Sequence, residues 1–264
     1  MNQLNLCLRD LLSEALNALP DLDRQVALTI HGLRKQTKFI RALLLLHQAV
    51  LPELKQCLKM LSALLAPYRD AQVNLDTYKL LTDNAPALQD AGLEISLRSN
   101  PFFLDSAPTI SLKENIELQF TELSLAMLQI PVAPGQKAIF DVIQGSYESG
   151  STAMHQVRQN SNMEDLHTWR KKTKRLWYQL RFRFGDLIDD LNHPLNLSDQ
   201  LGQLLGEIHD SDVFELLLAA RSNLNLHQLI NSRRSELLLQ AFDLGDRLYI
   251  QGQPIFSQLL QTAR

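Results

Sequence analysis

The sequence predicts an all-α fold built from two pseudo-symmetric helical-bundle halves. Three observations carry that expectation. Leucine-rich segments with few β-branched residues favour helix. Gly and Pro number only 10 each in 264 residues, too few for a chain of short strands turning roughly every eight to twelve residues. And a two-part motif occurs twice, in the same order, one copy in each half of the chain.

Residues 4–18 form a first helix that stops near Pro20. Asp21 is expected to cap a longer second helix that runs to about Val50, just before Pro52. Helices over 53–65 and 68–81 follow, with Pro67 between them. Residues 82–111 contain Pro86, Gly92, Pro101 and Pro108 and read as an irregular connection with a short helix. Residues 112–129 are helical again, and Pro131 and Pro134 mark the midpoint. A long helix spans 136–160. Asp165 opens the next, which ends near Asn192 and Pro194. Helices over 197–205, 209–221 and 226–250 complete the set, and Pro254 starts a short last one. The expected organisation is one domain over 1–264, with half one about 1–130 and half two about 131–264.

Composition narrows the function classes. With 45% apolar residues and a net charge of -3, the chain is too hydrophobic and too weakly charged to be disordered. Cys7 and Cys57 are its only cysteines, which excludes a disulfide scaffold and fits a reducing compartment or core thiols. The longest apolar run, 42–51, contains His47 and Gln48 and is about half the length that a bilayer requires. No cationic stretch precedes the apolar residues at the N-terminus, so no signal peptide is expected and the cytoplasm is the expected compartment.

The mild net charge hides an asymmetry. From His31 to Arg41 there are four basic residues and no acid, and from His167 to Arg183 seven and no acid. Acids outnumber bases over the rest of the chain. One acid-free run is an ordinary solvated helix face, but two in an otherwise acidic chain point to surfaces for an anionic partner.

These runs belong to the repeat. His31-Gly-Leu-Arg34-Lys35-Gln-Thr-Lys38 recurs as His167-Thr-Trp-Arg170-Lys171-Lys172-Thr173-Lys174, at an offset of 136 residues. Leu64-Leu65-Ala-Pro-Tyr-Arg69-Asp70 recurs as Leu204-Leu205-Gly-Glu-Ile-His209-Asp210, at an offset of 140.

At about 100° per residue, His31, Arg34, Lys35, Lys38 and Arg41 share a face about 120° wide, opposite Leu33, Ile40 and Leu44. His167, Arg170, Lys171 and Lys174 share a face with Tyr178 and Arg181, opposite Trp169, Leu176 and Leu180. Each helix therefore packs on one side and shows a cationic ladder on the other. Lys172 and Arg183 fall off the ladder and read as ordinary solvated charges, while Phe39 and Trp169 read as core. Each ladder is roughly 10 to 20 Å long at about 1.5 Å per residue, which suits an extended, repeating polyanion better than a single phosphate. Arg supplies forked donors to phosphate oxygens and Lys supplies point charges. If the halves pack about a pseudo-twofold axis, the two ladders can line one central basic pore.

Each half resembles the CHAD family, the conserved histidine α-helical domain. Its hallmark is a basic helix starting His-x-x-Arg, followed downstream by an Arg-Asp or His-Asp pair. Here these are His31-Gly-Leu-Arg34 with Arg69-Asp70, and His167-Thr-Trp-Arg170 with His209-Asp210. The segment from Leu244 to Tyr249, followed by Pro254-Ile-Phe256, is similar to the family's C-terminal helix, so the resemblance covers nearly the whole chain. It implies an all-helical protein of two bundle-like halves that binds inorganic polyphosphate through basic residues of a central pore, with no cofactor. In half one the implied binding residues are His31, Arg34, Lys35, Lys38, Arg41 and Arg69, supported by Asp70. In half two they are His167, Arg170, Lys171, Lys174, Arg175, Tyr178, Arg181 and His209, supported by Asp210. Two positions depart from the pattern. Phe39 replaces the second residue of a usual basic doublet, and Trp177 stands where a basic residue often follows Leu176. Trp177 either borders the pore or shifts into packing.

Other chemistries find less support. Neither His31 nor His167 has a second His, Cys or carboxylate at i+3 or i+4, the spacing of a helical metal site. Adjacent His and Asp occur in metal-dependent phosphohydrolases. Half one, however, has Arg69-Asp70 in the place of His209-Asp210, and Arg cannot ligate a cation. Asp70 and Asp210 are therefore expected to orient ladder cations or cap helices. Neither ladder face carries an acid for general acid–base work, and no Gly-rich phosphate loop is present. The expectation is a non-catalytic polyphosphate binder without metal or cofactor, in the cytoplasm and at polyphosphate granules, with no membrane partner. One alternative is a metal-dependent polyphosphate or phosphoester hydrolase using His209 and Asp210. Another is a nucleic-acid-binding protein, weakened by scarce aromatics near the ladders and the acidic remainder.

Overall fold

The computed structural model describes residues 3–47, 51–83, 85–102, 110–130, 132–185, 190, 192–219 and 223–262. Among them every regular element is a helix, as the composition and periodicity require. No helix of the described residues is long and apolar enough to cross a membrane. The chain divides into two compact units, Met1–Asp76 with Asp90–Pro134, and Thr77–Gln89 with Gly135–Arg264.

The first unit holds α1 (Gln3–Ala18), α2 (Val26–Leu44), most of α3 (Pro52–Asp83), α4 (Ala91–Arg98) and α5 (Ile110–Met127). The spacing of α1 makes one stripe, and Leu4, Leu8, Leu11, Leu12 and Ala15 are all buried. This stripe packs on α2 and α5. On α2 Ile30, Leu33, Thr37, Ile40 and Leu44 form the buried stripe opposite the cationic positions, and Thr29, Phe39, Ala42 and Leu43 are buried as well.

The second unit holds α6 (Gln136–Asn160), α7 (Met163–Phe184), α8 (Pro194–Leu218), α9 (Leu224–Asp246) and α10 (Gln253–Thr262). Helix α7 packs on both α6 and α8, and α8 packs on α9. Trp169 is fully buried and stacks on Phe242, at 5.6 Å between ring centres. Arg234 of α9 donates to the buried Asp212 carboxylate of α8 at 2.8 Å, and Arg233 donates to Glu207 at 2.9 Å. Between α9 and α10 the chain widens into a π turn over Arg247–Gln251. Tyr249 of that turn packs so closely on α6 that a side chain at Gly150 would run into its ring.

Several element boundaries differ from the sequence expectation, each for a local reason. Asp21 does not cap α2. It lies in a 3-10 turn, Leu19–Asp23, that starts at Pro20 and is anchored by the buried Leu22. Its carbonyl accepts the N–H groups of Arg24 and Gln25, so α2 begins only at Val26. Pro67 does not divide α3. An interior proline costs about 3 kcal/mol. Leu54, Leu58, Leu61, Leu65, Ala71, Leu75 and Tyr78, all buried, offset it along the helix. Likewise α8 runs unbroken through Gly206, merging two expected helices.

Helix α7 starts two residues before Asp165, because the Asn162 side chain accepts the Asp165 N–H at 2.8 Å. It ends at Phe184 rather than near Asn192. Gly185 takes φ +85 there and returns its N–H to the Arg181 carbonyl, a left-handed stop that favours glycine. Within the irregular 82–111 stretch the expected short helix is α4, capped by the Asp90 side chain on the Leu93 N–H. Pro108, Pro131 and the expected helix ends at Val50 and Arg221 lie outside the described residues.

Candidate functional site

In the first unit the cationic face is made by α2 and completed by α3. His31, Lys35 and Lys38 are exposed and Arg34 is half-buried. The His31 imidazolium is disfavoured first by partial burial of the ring and then by Lys35, Lys38, Arg69 and Arg34, so its pKa lies below the usual histidine value. Arg69 of α3, distant in sequence, is thereby brought to the same face as the α2 ladder. Its guanidinium also donates to Asp70 at 3.3 Å. Arg41 is a partial exception. Its Nη2 donates to the Leu58 carbonyl and to Ser62 Oγ, both at 2.9 Å, which ties the end of the ladder to the α3 backbone. Phe39 is buried although it flanks the ladder on the wheel, about 40° from Lys35.

The corresponding face of the second unit is built on α7 and α8. The His167 and His209 rings lie 4.5 Å apart between centres with their planes tilted by 31°, so the two halves of the second motif copy meet in space. Lys174 Nζ donates to the Asp199 carboxylate at 3.2 Å and lies 4.4 Å from the centre of the Trp177 ring. Arg181 covers the same ring at 5.8 Å. Trp177 therefore takes the place of a cation by serving as a half-buried platform for two cations.

Glycines on α8 allow this close approach. A Cβ at Gly202 would lie 2.8 Å from Lys174 Cε, and one at Gly206 would touch Arg170 at 3.7 Å. Tyr178 is buried, and its phenol is pushed up to about 12 by burial first. Arg181 and Arg170 pull it down, and Asp199 pushes it up. It stands among these groups as a neutral hydroxyl.

The other expected residues are placed as follows. Lys171 is exposed, Asp210 is half-buried, and Arg175 is half-buried with its guanidinium disfavoured by burial. Arg183 is not a simple solvated charge. Its guanidinium lies over Phe140 at 5.3 Å and over Phe184 at 5.6 Å. Among the described residues, no group of three or more His, Cys, Asp or Glu side chains gathers as a metal site would require.

Three parts of the second face were missed from sequence: Asp199, Gly202 and Gly206. From His167 to Arg183 the second ladder carries no acid, and its carboxylate partner Asp199 comes from the next helix. The repeat offset of 140 residues held the signal. It aligns Gly202 and Gly206 with Ser62 and Ala66, small residues at the same spacing, and Asp199 with Lys59.

A family model described as CHAD domain matches residues 2–219. The matched span stops at the end of α8, short of the Leu244–Phe256 segment that the sequence also likened to the family. No curated protein and no solved structure matches the chain.

Proposed function

Because the chain belongs to the CHAD family, we propose that it binds inorganic polyphosphate without turning it over, through the cationic faces of its two units. One observation supports this reading above the rest. In each unit a His-x-x-Arg helix and the Arg-Asp or His-Asp pair of the following helix contribute to one basic face: Arg69 acts on His31, and the His209 ring packs against that of His167. A face of this kind offers forked guanidinium donors and ammonium charges along a helix, which match the closely spaced negative charges of a phosphate chain.

The repeated motif supports the further proposal that the halves are duplicates and that both ladders engage one polyphosphate chain in a central basic pore. A non-catalytic role is supported by the surroundings of His31, where the charged groups acting on the ring, Lys35, Lys38, Arg69 and Arg34, are all cationic.

The test is a parallel titration with long-chain polyphosphate, ATP and duplex DNA. Polyphosphate should bind tightest, and its affinity should fall as salt rises, by analogy with counterion release from nucleic acids. Equal or tighter binding of the duplex would transfer the reading to nucleic acid. Orthophosphate release that needs an added divalent metal and disappears in His209→Ala would make the protein a hydrolase.

A further inference from the structure

We infer that Asp199 is a built-in counter-anion of the second cationic face, one that a polyphosphate must displace from Lys174 and that sets how strongly the face discriminates long polyanions from single phosphates. The inference rests on the polyphosphate reading and concerns the same site.

Lys174 is held on three sides. The Asp199 carboxylate accepts from its Nζ at 3.2 Å, the Trp177 ring lies beneath it at 4.4 Å, and the stem presses against α8 where Gly202 leaves room. Asp199 is itself fixed, since Gln203 donates to its other oxygen at 3.1 Å. The carboxylate is therefore a positioned partner and not a passing surface contact. Its charge also reaches the rest of the face, as its effect on the Tyr178 phenol shows.

A phosphate oxygen that binds Lys174 Nζ competes with this carboxylate for it. A single phosphate offers one contact to exchange for the existing ion pair, so it gains little. A polyphosphate offers many contacts at once, and the other cations of the face outweigh the loss of one pair. In the first unit the equivalent register carries Lys59 in place of the carboxylate.

The experiment compares wild type with Asp199→Asn, which keeps the side-chain shape, and with Asp199→Glu, which keeps the charge. Each is titrated with orthophosphate and with long-chain polyphosphate. Asp199→Asn should bind polyphosphate about threefold to tenfold more tightly, gain more for orthophosphate, and so narrow the ratio between the two. Asp199→Glu should stay near wild type. A second readout needs no ligand. Mass spectrometry after brief treatment with an amine-acylating reagent should show Lys174 modified several-fold faster in Asp199→Asn. Unchanged affinities, or an unchanged Lys174 rate, would overturn the inference. If the wild type bound no polyphosphate at all, the proposed function would fall, and the Lys174 rate would still decide whether Asp199 shields that amine.

Discussion

The two cationic faces share a motif and differ in how their charges are accommodated. On the first, the groups that act on His31 are Lys35, Lys38, Arg69 and Arg34, all cationic. On the second, Lys174 leans on Asp199 and on Trp177, and Arg181 shares the same ring. Crowded like charges destabilise a fold, whereas an opposed carboxylate and an aromatic face relieve them. The comparison teaches that one repeat can be tuned two ways. On the first face the Asp70 carboxylate meets Arg69 while His31 is left among cations; on the second, Asp199 meets Lys174 itself. On the proposed reading, an anion therefore relieves more repulsion around His31 than around Lys174.

The largest effect should come from charge reversal, which can break this comparison. Lys35→Glu with Lys38→Glu should weaken polyphosphate binding by about 3 kcal/mol or more, since each charge-assisted bond is worth about 1.5 to 3 kcal/mol. The same change should raise the melting temperature of the ligand-free protein, because it removes repulsion around His31. Lys174→Glu should lower both binding and melting temperature, because it sets a second carboxylate against Asp199. If both reversals moved stability in the same direction, the contrast between the faces would be lost.

Next in size is the platform. Trp177→Ala should weaken polyphosphate binding by about 0.5 to 2 kcal/mol through the loss of its cation–π contacts, while the helical circular dichroism stays unchanged. Binding at wild-type strength would return Trp177 to a packing role alone.

A pH series sharpens the comparison from the other side. In the folded protein the His31 pKa lies below its ordinary value near 6.5, so the unfolded chain binds the extra proton more readily. Stability of the ligand-free protein should therefore fall as pH drops through about 6.5. A bound polyanion reverses the sign locally, because it favours the imidazolium. Binding should then take up protons and tighten over the same window. Thermal melts and titrations at about pH 7.5 and about pH 5.5 read both effects; His31→Gln should reduce the proton uptake on binding and lessen the stability slope without abolishing it, because burial also lowers His47 and His193. The smallest effect is expected at Lys172, which lies off the ladder. Lys172→Ala should stay within about 0.5 kcal/mol of wild type in a polyphosphate titration.

How much of this was legible depends on whether the information lay within one helix. The ladders of α2 and α7 were, because roughly 3.6 residues per turn fixes which side chains share a face. So was the burial of Leu33 and Trp169 on the opposite side. The tie from Arg41 to Leu58 and Ser62, the Asp199 partner and the glycine contacts on α8 were not, because each depends on which helix lies alongside. Boundaries failed where a local signal met a tertiary one. Pro67 is a strong helix breaker by itself, and burial along α3 overrides it. At the end of α7 the local signal was correct: Gly185 after a basic last turn is a stop, and the reading passed over it in favour of Pro194.

Binding by both faces is decided by a single calorimetric titration of long-chain polyphosphate into wild type, Arg34→Ala, Arg170→Ala and the double variant. Each single change should weaken binding by about 1.5 to 3 kcal/mol if its guanidinium bonds directly to phosphate. The double should be weaker than either, with the helices intact, since neither residue belongs to the buried stripe of its helix. Wild-type affinity in either single variant would contradict the claim that the cationic faces of both units bind the chain.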